Sequence, residues 1–384
     1  MQKTISILGS TGSIGEQTLS VIDQTVGYSV GYLTAQTNIQ KLEQQALTYN
    51  PIGVVITSEP HYIEFKKNTS YKGNIFFGVD GLCEAACSDD TDILMSALVG
   101  FSGVIPTLEA IKKGKTVALA NKETLISAGE IIMNAVKTHS AKLIAVDSEH
   151  NALLQCLVGE DISSINTITL TASGGPFFSL PIEEFSTITL EKALKHPKWK
   201  MGSKITIDSS TLMNKGFEVI EAKWLFDLQP NQIKVLVHPQ SIVHSLVEFS
   251  DGSMKAQLGM PDMRIPISYA LSYPKRFSYN FPRLALEEIQ TLQFYPPDFQ
   301  KFPCLQVAFD CLEKGGNSTA ILNAANEVAV AWFLEQKIGY TDIIRSIEFA
   351  LNKMPFVAHP SLADIIEIDT QTRSLLEQHL STKL

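Results

Sequence analysis

Long hydrophobic runs are what this sequence most plainly lacks. None approaches the ~20 consecutive apolar residues that a membrane-spanning helix requires, so a helical membrane protein is excluded. Cysteine is scarce and scattered: Cys83, Cys87, Cys156, Cys304 and Cys311 make no C-x-x-C spacing, which removes a zinc ribbon and a disulfide framework from consideration. The odd count, with Lys3 running straight into the strand-like Thr4-Ile5-Ser6-Ile7-Leu8 and no apolar leader before it, points to reduced thiols in the cytoplasm. Positive charge is in deficit as well, with 31 Lys and Arg against 40 Asp and Glu and a net charge of −9. That balance argues against nucleic acid or an anionic membrane surface as a partner. Repeats and low-complexity tracts are missing too.

What is there is a chain of 384 residues, enough for two or three domains. Its first part alternates short apolar runs with helical stretches. The runs are Ile5–Leu8, Ser29–Leu33, Val54–Ile56, Asn74–Phe77, Ile93–Met95, Thr116–Leu119 and Lys142–Val146, each short and apolar like a strand buried on both faces. That order predicts an α/β fold with a doubly wound, Rossmann-like parallel sheet over residues 1–147. From 148 to 273 the pattern turns α+β, with a hairpin predicted at Ile242–Phe249 and Met254–Leu258 around Asp251-Gly252. Residues 274–298 read as an extended linker rich in Pro and Phe. Residues 299–384 read as a C-terminal helical bundle, with helices over Leu305–Lys314, from a Ser318 cap to Gly339, over Thr341–Lys353 and over Asp369–His379.

Gly9-Ser10-Thr11-Gly12-Ser13-Ile14-Gly15 follows the first strand and opens an apolar helix, Gln17–Ile22. Glycines in that context let a pyrophosphate approach the backbone while helix N-terminal amides receive its charge. A plain structural turn is the other reading. The second strand leads into Ala35-Gln36-Thr37-Asn38 with no acidic residue to hold a ribose hydroxyl, which points toward NADP. No Arg or Lys stands there to clamp a 2′-phosphate, unless Lys41 reaches back. Asn121-Lys122-Glu123 follows the strand at Thr116–Ala120, on the edge of the sheet where ligands bind, although Lys122 also suits a loop before a helix started by Glu123.

Asp147 and Glu149 close an apolar strand two residues apart, so in extended geometry both carboxylates point to one face. Paired carboxylates repel unless a cation or shared proton lies between them, and hard oxygens suit Mg²⁺ or Mn²⁺. A loop capping the helix Asn151–Leu157 explains them equally. A helix predicted to begin near Ser209-Ser210-Thr211 buries Met213, Phe217, Ile220 and Trp224 and sets Asn214 and Glu218 together at i and i+4. Gly216 in that helix hints at close approach by another group. A solvated face is the alternative for Glu218 and Lys215. Lys192, Lys195, Lys198, Lys200 and Lys204 surround His196 and Trp199 in a locally basic stretch, 192–204, that suits a lid over an anion or, for the lysines, a solvated face. Ser173-Gly174-Gly175-Pro176 offers a hydroxyl and free amides to phosphate, or makes a tight turn. His244 reads as a structural histidine.

These segments, together with His238-Pro239-Gln240-Ser241 and Asn323-Ala324-Ala325-Asn326-Glu327, give the whole chain a resemblance to the 1-deoxy-D-xylulose-5-phosphate reductoisomerase family, enzymes of isoprenoid precursor biosynthesis. The resemblance implies a homodimer that uses NADPH and Mg²⁺ or Mn²⁺, with Co²⁺ as a further candidate, on a small phosphorylated sugar. It assigns residues 1–147 to the cofactor, 148–273 to catalysis and dimerisation with the lid at 192–204, and 299–384 to a helical domain. It implies Asp147, Glu149 and Glu218 as metal ligands, with Lys122 and His196 beside them in catalysis. Ser148, Glu149, Ser173, His196, Trp199, Ser209, Asn214, Lys215 and Glu218 would contact substrate. Gly9, Ser10, Thr11, Gly12, Ser13, Ile14, Gln36, Thr37, Asn38, Asn121, Lys122, Glu123 and Gly202 would line the cofactor. One departure stands out: family members commonly carry a glycine and a basic residue where this chain has Gln36 and Thr37, so the preference for NADPH over NADH is expected to be narrower. The role of Glu327 stays open.

Two other functions share parts of this pattern. A semialdehyde or homoserine-type dehydrogenase shares the glycine fingerprint, but the semialdehyde enzymes need a nucleophilic cysteine and Cys156 falls within the apolar run Leu153–Leu157. A non-catalytic NADP sensor needs neither the carboxylates nor the basic loop.

Overall fold

Most of the apolar runs become strands flanked by helices that bury them, with the edge strand at Asn74–Phe77 left partly exposed. A computed structural model describes residues 3–199 and 201–382, so Lys200 of the predicted lid lies outside the described residues. The chain divides into two compact units. The first comprises 1–124, 132–151 and 262–282, and the second 125–131, 152–261 and 283–384.

In the first unit the order is β1 (Lys3–Leu8), α1 (Ser13–Asp23), β2 (Tyr28–Ala35), α2 (Ile39–Tyr49), β3 (Gly53–Ile56), α3 (Glu59–Asn68) and β4 (Asn74–Phe77). It continues with α4 (Gly78–Cys87), β5 (Ile93–Ser96), α5 (Val104–Lys112), β6 (Thr116–Leu119), α6 (Glu123–His139), β7 (Lys142–Ala145) and α7 (Ser148–Leu157), of which residues 125–131 of α6 and 152–157 of α7 are counted with the second unit. The strands form one seven-stranded sheet in the order β4-β3-β2-β1-β5-β6-β7. All pairings in it are parallel. Strand order reverses between β1 and β5, so the glycine loop after β1 stands at the switch point where this architecture binds ligands. β3 and β5 are buried along their whole length, as parallel strands covered on both faces must be.

The second unit holds β8 (Ile165–Ala172), α8 (Leu190–Ala193), α9 (Ser203–Ser210), α10 (Met213–Phe226), β9 (Ile233–Val237), β10 (Val243–Phe249) and β11 (Met254–Leu258). Helix α11 (Arg264–Ser272) returns to the first unit, where the Leu271 carbonyl accepts a 2.9 Å hydrogen bond from the Tyr28 hydroxyl. After it come α12 (Leu286–Ile289), α13 (Pro303–Lys314), α14 (Ser318–Leu334), α15 (Asp342–Lys353) and α16 (Leu362–Ser381). The second sheet runs β11-β10-β8-β9, with β8 and β9 parallel and the other pairs antiparallel. The hairpin closes at Asp251-Gly252 as expected: Gly252 sits at φ +83° and the Asp251 carboxylate accepts from the Ser253 amide at 2.9 Å. The predicted linker carries a short helix, α12, and a bridge in which the Tyr295 amide donates to the Val237 carbonyl.

Four local expectations need correction. Glu149 does not continue the strand; β7 ends at Ala145 and Glu149 lies in the first turn of α7, so the extended-strand argument for a shared face with Asp147 does not hold. The helix bearing Glu218 does not begin at Ser209. Ser209 lies in the last turn of α9, which ends at Ser210, and Leu212 at φ +58° breaks the path before α10 starts at Met213. Ser318 is the first residue inside α14 rather than its cap, which is Asn317, and the helix stops at Leu334 short of Gly339. Finally, α16 starts seven residues earlier than the apolar periodicity shows, because Ser361 and Asp364 form a reciprocal capping box.

Candidate active site

In the first unit the glycine loop is closed by a 3.1 Å bond from the Gly12 amide to the Gly9 carbonyl and held by its neighbours. The Gly9 amide donates to Thr34 Oγ1 at 2.7 Å, and the Ser10 amide to the Thr34 carbonyl at 2.9 Å. Gly9 adopts φ +82°, and a Cβ there would stand 2.6 Å from the Ala97 carbonyl oxygen; at Gly15 a Cβ would collide with the Gly9 carbonyl and the Ser10 backbone. Gly12 is the N-cap of α1 and Ser13 its first residue; both are exposed, so the helix start faces solvent, with Thr11 and Ile14 half-buried beside it. Ser10 is different, because its hydroxyl is fully buried between the Thr34 carbonyl and Gln45 Oε1 and serves the loop's own structure. Gln36, Thr37 and Asn38 are exposed after β2, and Asn38 Oδ1 accepts the Lys41 amide at 3.3 Å to cap α2. Lys41 itself is ion-paired with Glu16.

Beyond the carboxyl ends of β6 and β7 lies a second group. Lys122 Nζ stands 2.5 Å from Asp147 Oδ2, with the lysine side chain 7% exposed and the aspartate 15%. Adjacent strands bring them together, since β6 and β7 pair residue for residue and each ends just before its charged partner. Asn121 is consumed by structure: its amide donates to the carbonyls of Leu98 and Gly100 and to Glu123 Oε2, and its oxygen accepts from Thr124 Oγ1. Ser148 Oγ donates to Glu149 Oε2 at 2.6 Å, so the first turn of α7 carries Glu149 with a hydroxyl on it. A carboxylate at a helix N-terminus is favoured by the macrodipole.

The second unit supplies the remaining residues. On α10, Asn214 and Glu218 face one another as their i, i+4 spacing requires, and the Asn214 amide donates to Glu218 Oε1 at 2.7 Å. Lys215 Nζ pairs with the other oxygen, Oε2. Lys215 is 3% exposed and Glu218 1%, which decides against the solvated-face reading. Gly216 is a glycine because α13 needs the space: a Cβ would lie 2.5 Å from the Ala308 methyl. A neighbouring helix, not a ligand, approaches there. Trp224 extends the stripe but is only half-buried, stacked under Lys223 at 3.6 Å.

Ser173 and His196 meet across the loops they were read on. Ser173 Oγ lies 3.0 Å from His196 Nε2. His196 Nδ1 accepts from the amides of Trp199 at 2.9 Å and Lys198 at 3.2 Å, which leaves the proton on Nε2 and makes Ser173 Oγ the acceptor. Burial pushes the imidazole pKa down to about 4, so the ring is neutral. Trp199 is half-buried, and Gly202 is the N-cap of α9 with open space where a Cβ would be. The Ser173-Gly174-Gly175 turn needs its glycines at φ +85° and +65°, and a Cβ on Gly175 would sit 2.6 Å from the Ser209 carbonyl oxygen. The turn therefore packs onto the end of α9 that carries Ser209. His238 is structural: Nδ1 donates to the Gln293 carbonyl, Nε2 accepts the Ile242 amide, and the ring stacks on Phe294 at 4.6 Å.

Sequence reasoning missed a buried polar layer in this unit. Asp208 is 1% exposed, bonded by Asn326 Nδ2 at 2.8 Å and Lys204 Nζ at 2.9 Å. Glu327, whose role the sequence left open, accepts from Asn323 Nδ2 at 2.9 Å and from Arg373 at 2.7 Å. The signal was present: Asn323, Asn326 and Glu327 recur at helical spacing within an otherwise apolar helix.

Comparison with known proteins agrees along the chain. Residues 5–129 match the family model for 1-deoxy-D-xylulose 5-phosphate reductoisomerase, residues 143–226 that for its C-terminal domain, and residues 258–375 that for a DXP reductoisomerase C-terminal domain. The 1-deoxy-D-xylulose 5-phosphate reductoisomerase of Chloroherpeton thalassium is 52% identical over 373 residues, 97% of this chain and 96% of that protein. That of Bacteroides fragilis is 46% identical over 379 residues, 98% of each. Among solved structures, the Zymomonas mobilis enzyme in complex with NADPH superposes with a TM-score of 0.91 at 42% identity, over 99% of each chain. A DOX-P reductoisomerase in complex with NADPH, fosmidomycin and magnesium superposes with a TM-score of 0.94 at 37% identity, over 99% of this chain and 98% of that one. With its glycine loop, its buried lysine–carboxylate pairs and this similarity from end to end, the chain belongs to the 1-deoxy-D-xylulose 5-phosphate reductoisomerase family.

Proposed function

We propose that this chain converts 1-deoxy-D-xylulose 5-phosphate to 2-C-methyl-D-erythritol 4-phosphate, using NADPH and a divalent metal ion, in isoprenoid precursor biosynthesis. The observation that carries the reading is the state of the carboxylates. Glu218 is buried and Asp147 mostly so, with 15% of its side chain exposed, and each already holds a lysine ammonium on a carboxylate oxygen. Positions built to keep negative charge beside positive charge, with hard oxygen donors, fit Mg²⁺ or Mn²⁺. We assign Asp147, Glu149 and Glu218 as its ligands. When bound, the metal supplies Lewis-acid polarisation of substrate oxygens and NADPH supplies the hydride.

The protein's own residues bind, orient and shield. Ser173, Ser209, Asn214 and Lys215 gather the phosphate, Ser148 contacts the sugar backbone, and Lys122 lies near the reacting end. Neutral His196 offers Nε2–H, which now bonds Ser173, as a donor to phosphate oxygens while Trp199 covers the substrate. Closure of 192–204 over the bound anion excludes water from reactive intermediates. The phosphate is remote from the reacting carbons, so its binding free energy can drive that closure. Gly9, Thr11, Gly12, Ser13 and Ile14 hold the cofactor pyrophosphate at the start of α1, with Ser10 shaping the loop from within. Thr37 and Asn38 hydrogen-bond the 2′-phosphate, Gln36 lines the same strand end, and Asn121, Glu123 and Gly202 complete the cofactor surroundings. Because Lys41 is committed to Glu16, the preference for NADPH over NADH rests on neutral hydrogen bonds and is narrower than a basic clamp gives.

The functional division follows the residues: 1–147 for the cofactor, 148–273 for catalysis and dimerisation, 274–298 as linker and 299–384 as helical support. A homodimer is supported by the sheet edge at β11, where Met254 is 54% exposed. Cytoplasmic residence is supported by five cysteines that are all free. The test is to incubate the protein with 1-deoxy-D-xylulose 5-phosphate, NADPH and Mn²⁺, then with a chelator, and identify the product. Metal-dependent formation of methylerythritol phosphate establishes the reading, and unchanged substrate overturns it.

A further inference from the structure

A carboxylate buried to 1% exposure is costly to keep unless it is paired, and Asp208 is paired twice. Lys204, in the first turn of α9 where the 192–204 stretch ends, holds Oδ2 at 2.9 Å as an i, i+4 partner, and Asn326 of α14 donates to Oδ1 at 2.8 Å. A carboxylate only accepts, so Asn326 is fixed with its amide nitrogen toward Asp208. The next residue is Ser209, whose carbonyl the Gly175 turn packs against, and the Ser210 carbonyl after it accepts from the buried Tyr340 hydroxyl at 2.7 Å. Asp208 thereby joins α9, one residue before Ser209, to α14.

We infer that Asp208 and Asn326 are positioning residues: they fix Ser209, and the C-terminal root of the loop through Lys204, in the arrangement that receives the substrate phosphate. The inference rests on the phosphate role proposed for Ser209. Neither residue touches substrate. Their effect falls on capture of the phosphate end rather than on the chemistry or the cofactor.

The experiment compares Asn326→Ala and Asp208→Asn with the wild type and with Asn323→Ala. Asn323 lies on the same buried helix but bonds Glu327 rather than Asp208, so it reports a merely structural effect. Asp208→Asn keeps the oxygen that Asn326 bonds and removes the charge that Lys204 pairs, so it is near-isosteric and keeps the fold if Asn326→Ala does not. The expected result is a KM for the phosphosugar raised about tenfold in both test variants, with kcat within about threefold, KM for NADPH unchanged and Asn323→Ala close to wild type. Broadening of the ³¹P resonance of inorganic phosphate by the protein, which needs no turnover, is expected to weaken in the same two variants. An unchanged KM in Asp208→Asn, or an equal rise in Asn323→Ala, overturns the inference. Wild-type protein that broadens phosphate but does not turn over the phosphosugar would instead overturn the substrate reading and leave the positioning role to be read from the resonance.

Discussion

His196 shows how one side chain couples pH to the loop it anchors. Its pKa is lowered from the ordinary 6.5 to about 4 by burial, so the folded protein favours the neutral ring while the unfolded chain takes up a proton more readily. Stability from this group is present above about 6.5 and is lost as pH falls through that value toward 4. We expect the 192–204 loop to open to proteolysis as pH is lowered from 7 to 5, and His196→Gln, which cannot charge, to abolish that pH dependence; a wild-type cleavage rate flat over this range would contradict the assignment. The pairing of Glu218 with Asn214 was legible from their i, i+4 spacing, whereas Ser173 and His196 were singled out on separate loops and only the fold brings them to 3.0 Å. The pairing of Asp208 with Asn326 was not legible either: the helical spacing of Asn323, Asn326 and Glu327 marks a polar face on α14, but nothing in the sequence ties that face to a single Asp in a short polar helix. Only the fold shows that they meet.

At the scale of elements, spacing was a good guide wherever tertiary contact agreed with it. The central parallel strands, β3 and β5 above all, were readable because burial along their whole length leaves nothing but short apolar runs in the sequence. Starts of helices were harder. The break at Leu212 between α9 and α10 requires a left-handed residue, and no glycine or asparagine announces it. The early start of α16 depends on a capping box outside the apolar stripe. Gly216 gives an element-scale prediction. A methyl there meets Ala308 at 2.5 Å, so Gly216→Ala is expected to push α10 from α13 and destabilise the protein by roughly 1–3 kcal/mol despite its better helix propensity. Chemical denaturation checks it, and a stabilised variant would show that the two helices separate freely.

For the whole molecule, the family reading ties ligand binding to stability. A metal that binds only the folded chain raises its stability by about 2.7 kcal/mol at a hundred times the dissociation constant. Mn²⁺ is therefore expected to raise the melting temperature, a chelator to reverse the rise, and Asp147→Asn to blunt it; a melting temperature indifferent to Mn²⁺ would detach the carboxylates from metal binding. The central claim is that Glu218, buried between Asn214 and Lys215, is a metal ligand and not a structural ion pair. The most direct measurement is NADPH oxidation with 1-deoxy-D-xylulose 5-phosphate and Mn²⁺ by wild type and Glu218→Gln, each with its melting temperature recorded without metal. A ligand lost removes several kcal/mol of transition-state stabilisation, so the account predicts a fall in turnover of about a thousandfold with the fold intact. Turnover within a few-fold of wild type would contradict it and return Glu218 to a purely structural role.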